Sequence, residues 1–420
     1  MRLDGHAADE WRRGWRLPLV AALGYGLGNV FSHSFGVFVQ PIEREFGWSR
    51  GEIATAFTVI SLVLAIFVPL IGRLIDRVGP RRIAIPGAIF YCLAIAALSL
   101  TAPALWTWWL LWAIVGLAAV TVQAPVWTAA VASRFHRARG VALAITFCGG
   151  GLTTALMPLL ASNLIAEFGW RGAYVAMAAI VAVVAIPLVM LAFYDAADLG
   201  EQGRGARQAL RESHSGMSVN DAVRSSRFVG LAVAAFALMI GITALLIHFV
   251  PILSSAGLST AQAAGAASLV GIGSLVGRLG CGYLLDRVNG ALLGGAAFLL
   301  PAAVAISLIV FEGGIGGAMV IAFVLGMCIG GEVDVLAYLT SRYFGLAHYG
   351  TLFGILVGIQ NLAFAIGPPL AGFLYDRNGS YDLFLAICVP LFVLAAGLVV
   401  SLGRYPDFVR LAAEPEPQPA

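Results

Sequence analysis

Arg278, Glu332 and Asp334 are the residues whose positions ask most for a chemical explanation. Among the 25 basic and 22 acidic residues, these three alone fall deep inside long apolar runs; the others lie in loops, tails or helix ends. An ionisable group at membrane depth costs several kcal/mol, so each is a functional candidate by default. A guanidinium presents a planar fork that matches a carboxylate through two parallel hydrogen bonds. It keeps its proton, so it holds an anion and carries no proton. A buried carboxyl can take up and release one. The three side chains therefore predict a site where Arg278 binds an anion while Glu332 or Asp334 moves a proton. The other reading is a permanent pair of Arg278 with either acid that only joins two helices; the sequence leaves both open.

Such residues need a scaffold, and the composition says which kind. The chain has 420 residues, 60% hydrophobic and 11% charged. Soluble domains are about a quarter charged, so a water-soluble enzyme, a nucleic-acid binder and a disulfide scaffold are all poor fits. The net charge is +3, too small for nucleic acid. Cys92, Cys148, Cys281, Cys328 and Cys388 sit in apolar stretches without metal-ligand spacing and read as small fillers, so no metal is expected. No targeting peptide, nucleotide-binding loop or catalytic triad is apparent, and neither an enzyme nor a cofactor is expected.

A bilayer-spanning helix needs about 20 mostly apolar residues. Twelve such runs lie near 17–40, 53–72, 83–102, 105–131, 140–166, 172–193, 228–253, 261–284, 291–311, 315–341, 349–374 and 382–403. Runs this apolar must be helices, because lipid offers the backbone no partner. The expectation is an all-α membrane protein: a cytoplasmic segment 1–16, a six-helix bundle 17–193, a cytoplasmic linker 194–227, a second bundle 228–403 and a Pro- and Glu-rich tail 404–420 whose composition predicts disorder. With both termini inside, Arg44, Arg50, Arg171 and Arg377 are the only loop arginines outside, and every other one except Arg278 is cytoplasmic. Arg278 lies eight residues before Asp286 and Asp334 eight before Arg342, so each is about 12 Å from the rim at about 1.5 Å per residue.

The halves match at an offset of 210: Gly72-Arg73-Leu74-Ile75-Asp76-Arg77 aligns with Gly282-Tyr283-Leu284-Leu285-Asp286-Arg287, Gly140 with Gly350, Pro158 with Pro368 and Gly169 with Gly379. Repeats of this kind place a substrate site between two rocking halves. GRLIDRVGPRR at 72–82, with GYLLDR at 282–287 as a second copy, resembles the loop signature of the major facilitator superfamily. That resemblance implies a gate built from Gly72, Asp76, Arg77, Arg81, Asp286 and Arg287, in which charge contacts at the cytoplasmic helix ends hold one state and break in the other. The plainer reading makes the arginines positive-inside anchors.

Three segments narrow the resemblance: FSHSFGVFVQPIEREFGWSR (31–50), GRLGCGYLLDR (277–287) and GTLFGILVGIQNLAFAIGPPLAG (350–372). They are similar to the monocarboxylate transporters and the oxalate/formate exchangers. The resemblance implies that Arg278 pairs with a substrate carboxylate. His33 stands where animal members carry a lysine, Gln360 where oxalate exchangers carry one, and Ser274 where the family has an aspartate. It also implies a working monomer.

The remaining candidates have two readings each. His33 is a proton group, its ordinary pKa being near physiological pH, or a hydrogen-bonded core histidine. Gln123, Gln360 and Asn361 bind a substrate oxygen or bond between helices. Tyr338, one turn from Asp334, is a cavity candidate, whereas His248 and the Trp106, Trp108, Trp109, Trp112 cluster read as interface residues. The sum predicts a secondary transporter of a bacterial inner membrane, moving a small organic anion, a monocarboxylate with a proton. An anion exchanger or another proton-coupled facilitator is the alternative, and a membrane sensor is a remote one.

Overall fold

The computed structural model describes residues 5–196, 198 and 216–406. Arg204, Arg207 and Arg211 of the linker, and the tail from 407, lie outside the described residues. Everything regular in it is helical; among the described residues there is no strand, only an isolated bridge between Gly216 and Gly345. The helices of the first half are α1 (Gly5–Gly14), α2 (Arg16–Gly28), α3 (Val30–Phe46), α4 (Arg50–Val78), α5 (Pro80–Ala97), α6 (Leu105–Val120), α7 (Ala124–Arg134) and α8 (Arg139–Ala192). The second half follows with α9 (Val219–Arg224), α10 (Ser226–Ser255), α11 (Thr260–Leu285), α12 (Gly290–Ile309), α13 (Ile315–Tyr343), α14 (Tyr349–Asn378) and α15 (Asp382–Val400).

Among the described residues, ten helical stretches are long and apolar enough to cross a membrane. Two features separate this from the sequence expectation. The run 17–40 is divided at Asn29 into α2 and α3, of 13 and 17 residues, each too short by itself. The runs 140–166 and 172–193 follow one another without a loop within Arg139–Ala192 (α8), and the break expected between them falls at Gly169, whose φ of 66° and ψ of 171° are non-helical. The run 105–131 bends between α6 and α7 but remains one of the ten stretches, Leu105–Arg134. Large apolar side chains such as Val183 and Leu191 face outward at 74% and 75% exposure, which suits a hydrocarbon solvent.

The tryptophan cluster needs correction as an interface belt. Trp106 and Trp109 are exposed, but Trp108 and Trp112 are fully buried. Trp108 donates to the Ile53 carbonyl at 3.1 Å, and Trp112 packs edge-on against Phe31 and Phe35. Half the cluster is therefore aromatic core joining α3, α4 and α6.

The repeat extends to the helix ends. Ser49 and Glu52 form a capping box at the start of α4, and 210 residues later Ser259 and Gln262 form another at the start of α11. Left-handed glycines pair at the same offset, Gly47 with Gly257 and Gly169 with Gly379.

The halves meet glycine to backbone. A Cβ on Gly72 would lie 2.2 Å from the Gly350 carbonyl oxygen, and one on Gly140 would lie 2.4 Å from that of Gly282. This brings α4 against α14 and α8 against α11 in two contacts related by the repeat. Each is closed by a carboxylate at a helix N-terminus. Asp76 accepts from Gly350 N and Thr351 N, both at 2.8 Å, and Asp286 accepts from Gly140 N at 2.7 Å and Val141 N at 3.0 Å. These N–H groups have no partner within their own helices, and the helix dipole adds to the attraction. Arg139 lies buried beside Asp286 and donates to Ser341 Oγ of the other half at 2.9 Å. Just before this contact along the chain α1 contributes Glu10, whose carboxylate accepts from His136 N, Arg137 N and Ala138 N at 3.1–3.2 Å.

Inside the second half, α11 and α13 touch through two small-residue pairs. Gly273 and Gly277 face α13, and Gly326 and Gly330 face α11; a Cβ on Gly330 would lie 2.0 Å from the Ser274 carbonyl oxygen. Four-residue glycine spacing permits this approach in a membrane bundle.

Two predictions follow from these contacts. Gly330→Ala must push α13 off α11, and thermal unfolding in detergent is expected to show a loss of about 2 kcal/mol; Gly265→Ala, which meets nothing within 4 Å, is the control and should cost nothing. The double variant Asp76→Ala/Asp286→Ala leaves the capped N–H groups at the starts of α8 and α14 without acceptors. Hydrogen–deuterium exchange should accelerate at 140–145 and 350–355, and exchange at the wild-type rate would refute the latch.

Candidate functional site

The close packing of α11 on α13 sets three charges together. Arg278 on α11 is 8% exposed and donates from Nη1 to Asp334 Oδ1 on α13 at 3.1 Å. Asp334 is fully buried and Glu332 is 4% exposed. Asp334 Oδ2 and Glu332 Oε2 have no hydrogen-bond partner. The guanidinium also lies 5.5 Å from the centre of the Phe147 ring on α8, a cation–π contact that reaches the other half. Two carboxyls and one guanidinium are neutral when they hold one proton between them, and in a low-dielectric interior that neutral state is the cheap one.

Beside the triad lies a cavity of about 200 Å³ between the halves. Drug-sized ligands occupy pockets of about 300–1,000 Å³, so this one suits a smaller molecule. Its polar lining is Tyr25, Asn29, Ser61 and Gln123 from the first half and Gln360 and Asn361 from the second. Among the described residues no charged side chain lines it. Val333 does, flanked in sequence by the two buried acids. Gln123, preceding α7, and Val333 correspond at the 210 offset, as do Asn29 and Met239, all four on the lining.

The predicted site residues divide accordingly. Arg278, Asp334 and Glu332 come together; Gln123, Gln360 and Asn361 meet at the cavity. Gln360 is 4% exposed and its Nε2 has no partner, so a donor is held ready there. Asn361 instead donates to the Val357 carbonyl within α14 at 2.8 Å. Tyr338 is not on the lining; its ring packs near Gly290, at the start of α12 on the latch side. One helical turn separates it from Asp334 along the chain, but it faces a different layer. The His33 side chain lies outside the described residues. His248 is half-buried and bonded at 3.1 Å to both Tyr381 Oη and the Pro368 carbonyl, which ties α10 to α14 and to the start of α15.

The gate residues also divide. Gly72, Asp76 and Asp286 form the contact between halves. The described contacts of two of the arginines stay within their own half: Arg81 stacks on Tyr194 at 3.6 Å and donates to the Met190 carbonyl, and Arg287 stacks on Tyr283 at 3.5 Å. Arg77 is exposed. The acids therefore meet backbone N–H groups across the interface, a partner that a reading in terms of side-chain charges does not suggest.

Sequence reasoning missed Tyr25 and Asn29. A tyrosine in an apolar run is ordinary, but the interruption Gly24, Gly26, Gly28, Asn29 was the available signal, since broken spans mark transporter sites.

Comparison with known proteins agrees with this architecture. Residues 19–357 match the sequence model of the Major Facilitator Superfamily. Monocarboxylate transporter 13 of Bos taurus is 23% identical over 96% of this chain and 92% of its own length. Monocarboxylate transporter 11 of Homo sapiens is 23% identical over 93% and 83%. Among solved structures, the human organic anion transporter MFSD10 superposes with a TM-score of 0.72 at 17% identity, covering 92% of this chain and 99% of that one. The E. coli fucose:proton symporter FucP gives 0.70 at 15%, covering 93% and 98%. The chain is a multi-pass membrane protein and not an enzyme; it belongs to the major facilitator superfamily, as a homologue of the monocarboxylate transporters.

Proposed function

We propose that the protein is a secondary transporter of a small monocarboxylate, carried together with a proton by alternating access. The observation that carries this reading is the buried Arg278, held by Asp334 with Glu332 beside it, next to a neutral cavity between the halves. The substrate carboxylate takes the guanidinium, displacing Asp334. The loaded site then sets three carboxyls against one guanidinium, so it is neutral when Asp334 and Glu332 both hold a proton, one already present in the empty site and one entering with the substrate. A proton moving with a monocarboxylate carries no net charge, so the membrane potential neither drives nor opposes the step. A dicarboxylate would bring a second charge to Gln360, which has only an amide to offer.

The topology in this reading is twelve spans, counting α2 with α3 and α6 with α7 as one each and α8 as two. The bundles are 17–193 and 228–403, both termini are cytoplasmic, the location is a bacterial inner membrane and the working unit is a monomer. The arginine distribution supports this orientation. The Asp76 and Asp286 latch then closes the cytoplasmic side, and the described conformation is the one shut towards the cell interior.

A thermal-shift screen across organic acids would identify a substrate, and uptake into liposomes from an acid exterior tests the mechanism. Arg278→Ala is expected to lower uptake more than about 100-fold. Arg278→Lys, which keeps the charge and loses the fork, should recover only part of it. Wild-type uptake by either variant would exclude the clamp. Glu332→Gln and Asp334→Asn separate the proton from the anion: at least one should retain counterflow exchange and lose stimulation by an inward proton gradient. Full coupling in both would move the proton role to another group, and wild-type exchange that ignores pH would make the protein an anion exchanger.

A further inference from the structure

Tyr25 joins the cavity to the buried charges. It lines the cavity, while Arg278 does not. Its phenol is within electrostatic reach of Arg278, Asp334 and Glu332 at once. Its ring stands edge-on to Phe147 at 5.0 Å between centroids, and the Arg278 guanidinium lies over that same Phe147 ring. The position is fixed from several sides. Asn29 donates to the Tyr25 carbonyl at 2.8 Å. Gly150 leaves room for the ring, since a Cβ there would stand 3.0 Å from it.

An anion that leaves water for an apolar cavity must find donors to replace its hydration. The Arg278 fork fills about two of the four acceptor sites of a carboxylate and leaves the others unpaired. A phenol adds a donor without adding a charge, so the balance of one guanidinium against the acids is undisturbed. We propose that Tyr25 is a substrate-binding residue, whose phenol O–H donates to the substrate carboxylate alongside the Arg278 guanidinium. The inference rests on the carboxylate reading given above. It assigns the first half of the chain a direct share in binding, so that the substrate carboxylate bridges the halves between α2 and α11.

Tyr25→Phe keeps the ring against Phe147 and removes only the donor. Wild type, Tyr25→Phe and Tyr25→Ala are reconstituted and compared for uptake of radiolabelled acetate, lactate and benzoate from an acid exterior. The expected result is a KM raised about tenfold in Tyr25→Phe for whichever acid the wild type transports, with an unchanged unfolding temperature. A wild-type KM in Tyr25→Phe, whether or not Tyr25→Ala is impaired, overturns the donor role and leaves the carboxylate reading standing. Failure of the wild type to take up any of the three acids overturns that reading, and this inference with it.

Discussion

A guanidinium surrounded by helices and lipid must be matched where it stands. Arg278 meets that demand through Asp334, and Asp334 reaches it only because Gly330 and Gly277 let α13 and α11 touch backbone to backbone. The glycine spacing is thus electrostatic in its consequence: every side chain added between these helices lengthens the distance over which a buried charge must be satisfied. Glu332 then appears as the odd member. It makes the acids outnumber the base, and a cluster with that count settles its charge by holding a proton or by admitting a different anion to the arginine.

The repeat and the site follow different rules. The scaffold is symmetric: capping boxes, left-handed glycines, glycine contacts and carboxylate caps all recur after 210 residues. The charges are not. The first-half counterpart of Arg278 is Val68, fully buried in apolar surroundings. In the proposed function, symmetry serves the rocking of two similar bodies, whereas binding a monocarboxylate needs one guanidinium, not two.

How much of this was legible in the sequence follows from which properties are local. Long apolar runs, the arginine bias and the matched GRLIDR and GYLLDR segments are local, and they lead to the fold. Arg278, Glu332 and Asp334 were legible because charge inside an apolar run is rare and helical rise gives depth. The break at Asn29 escaped because the average hydropathy of 17–40 stays high across one polar residue. Trp108 and Trp112 were misplaced because proximity to a helix end suggests the interface, yet the side of the helix each one occupies decides burial. Tyr338 and Tyr25 show the same limit from both sides. Distance along a helix brought the first to notice, and only the cavity that α2 lines together with residues of the opposite half gives the second its proposed role.

The carboxylate of Glu10 has a consequence for the order in which the molecule is made. It secures 136–138 from within the first half, immediately before the N–H groups that Asp286 occupies. The segment leading into α8 is therefore bonded to residues translated ahead of it, whereas the first N–H groups of α8 itself are bonded to the partner bundle. The second bundle then completes this end of α8 with an acid, Asp286, and with the Ser341 hydroxyl that accepts from Arg139.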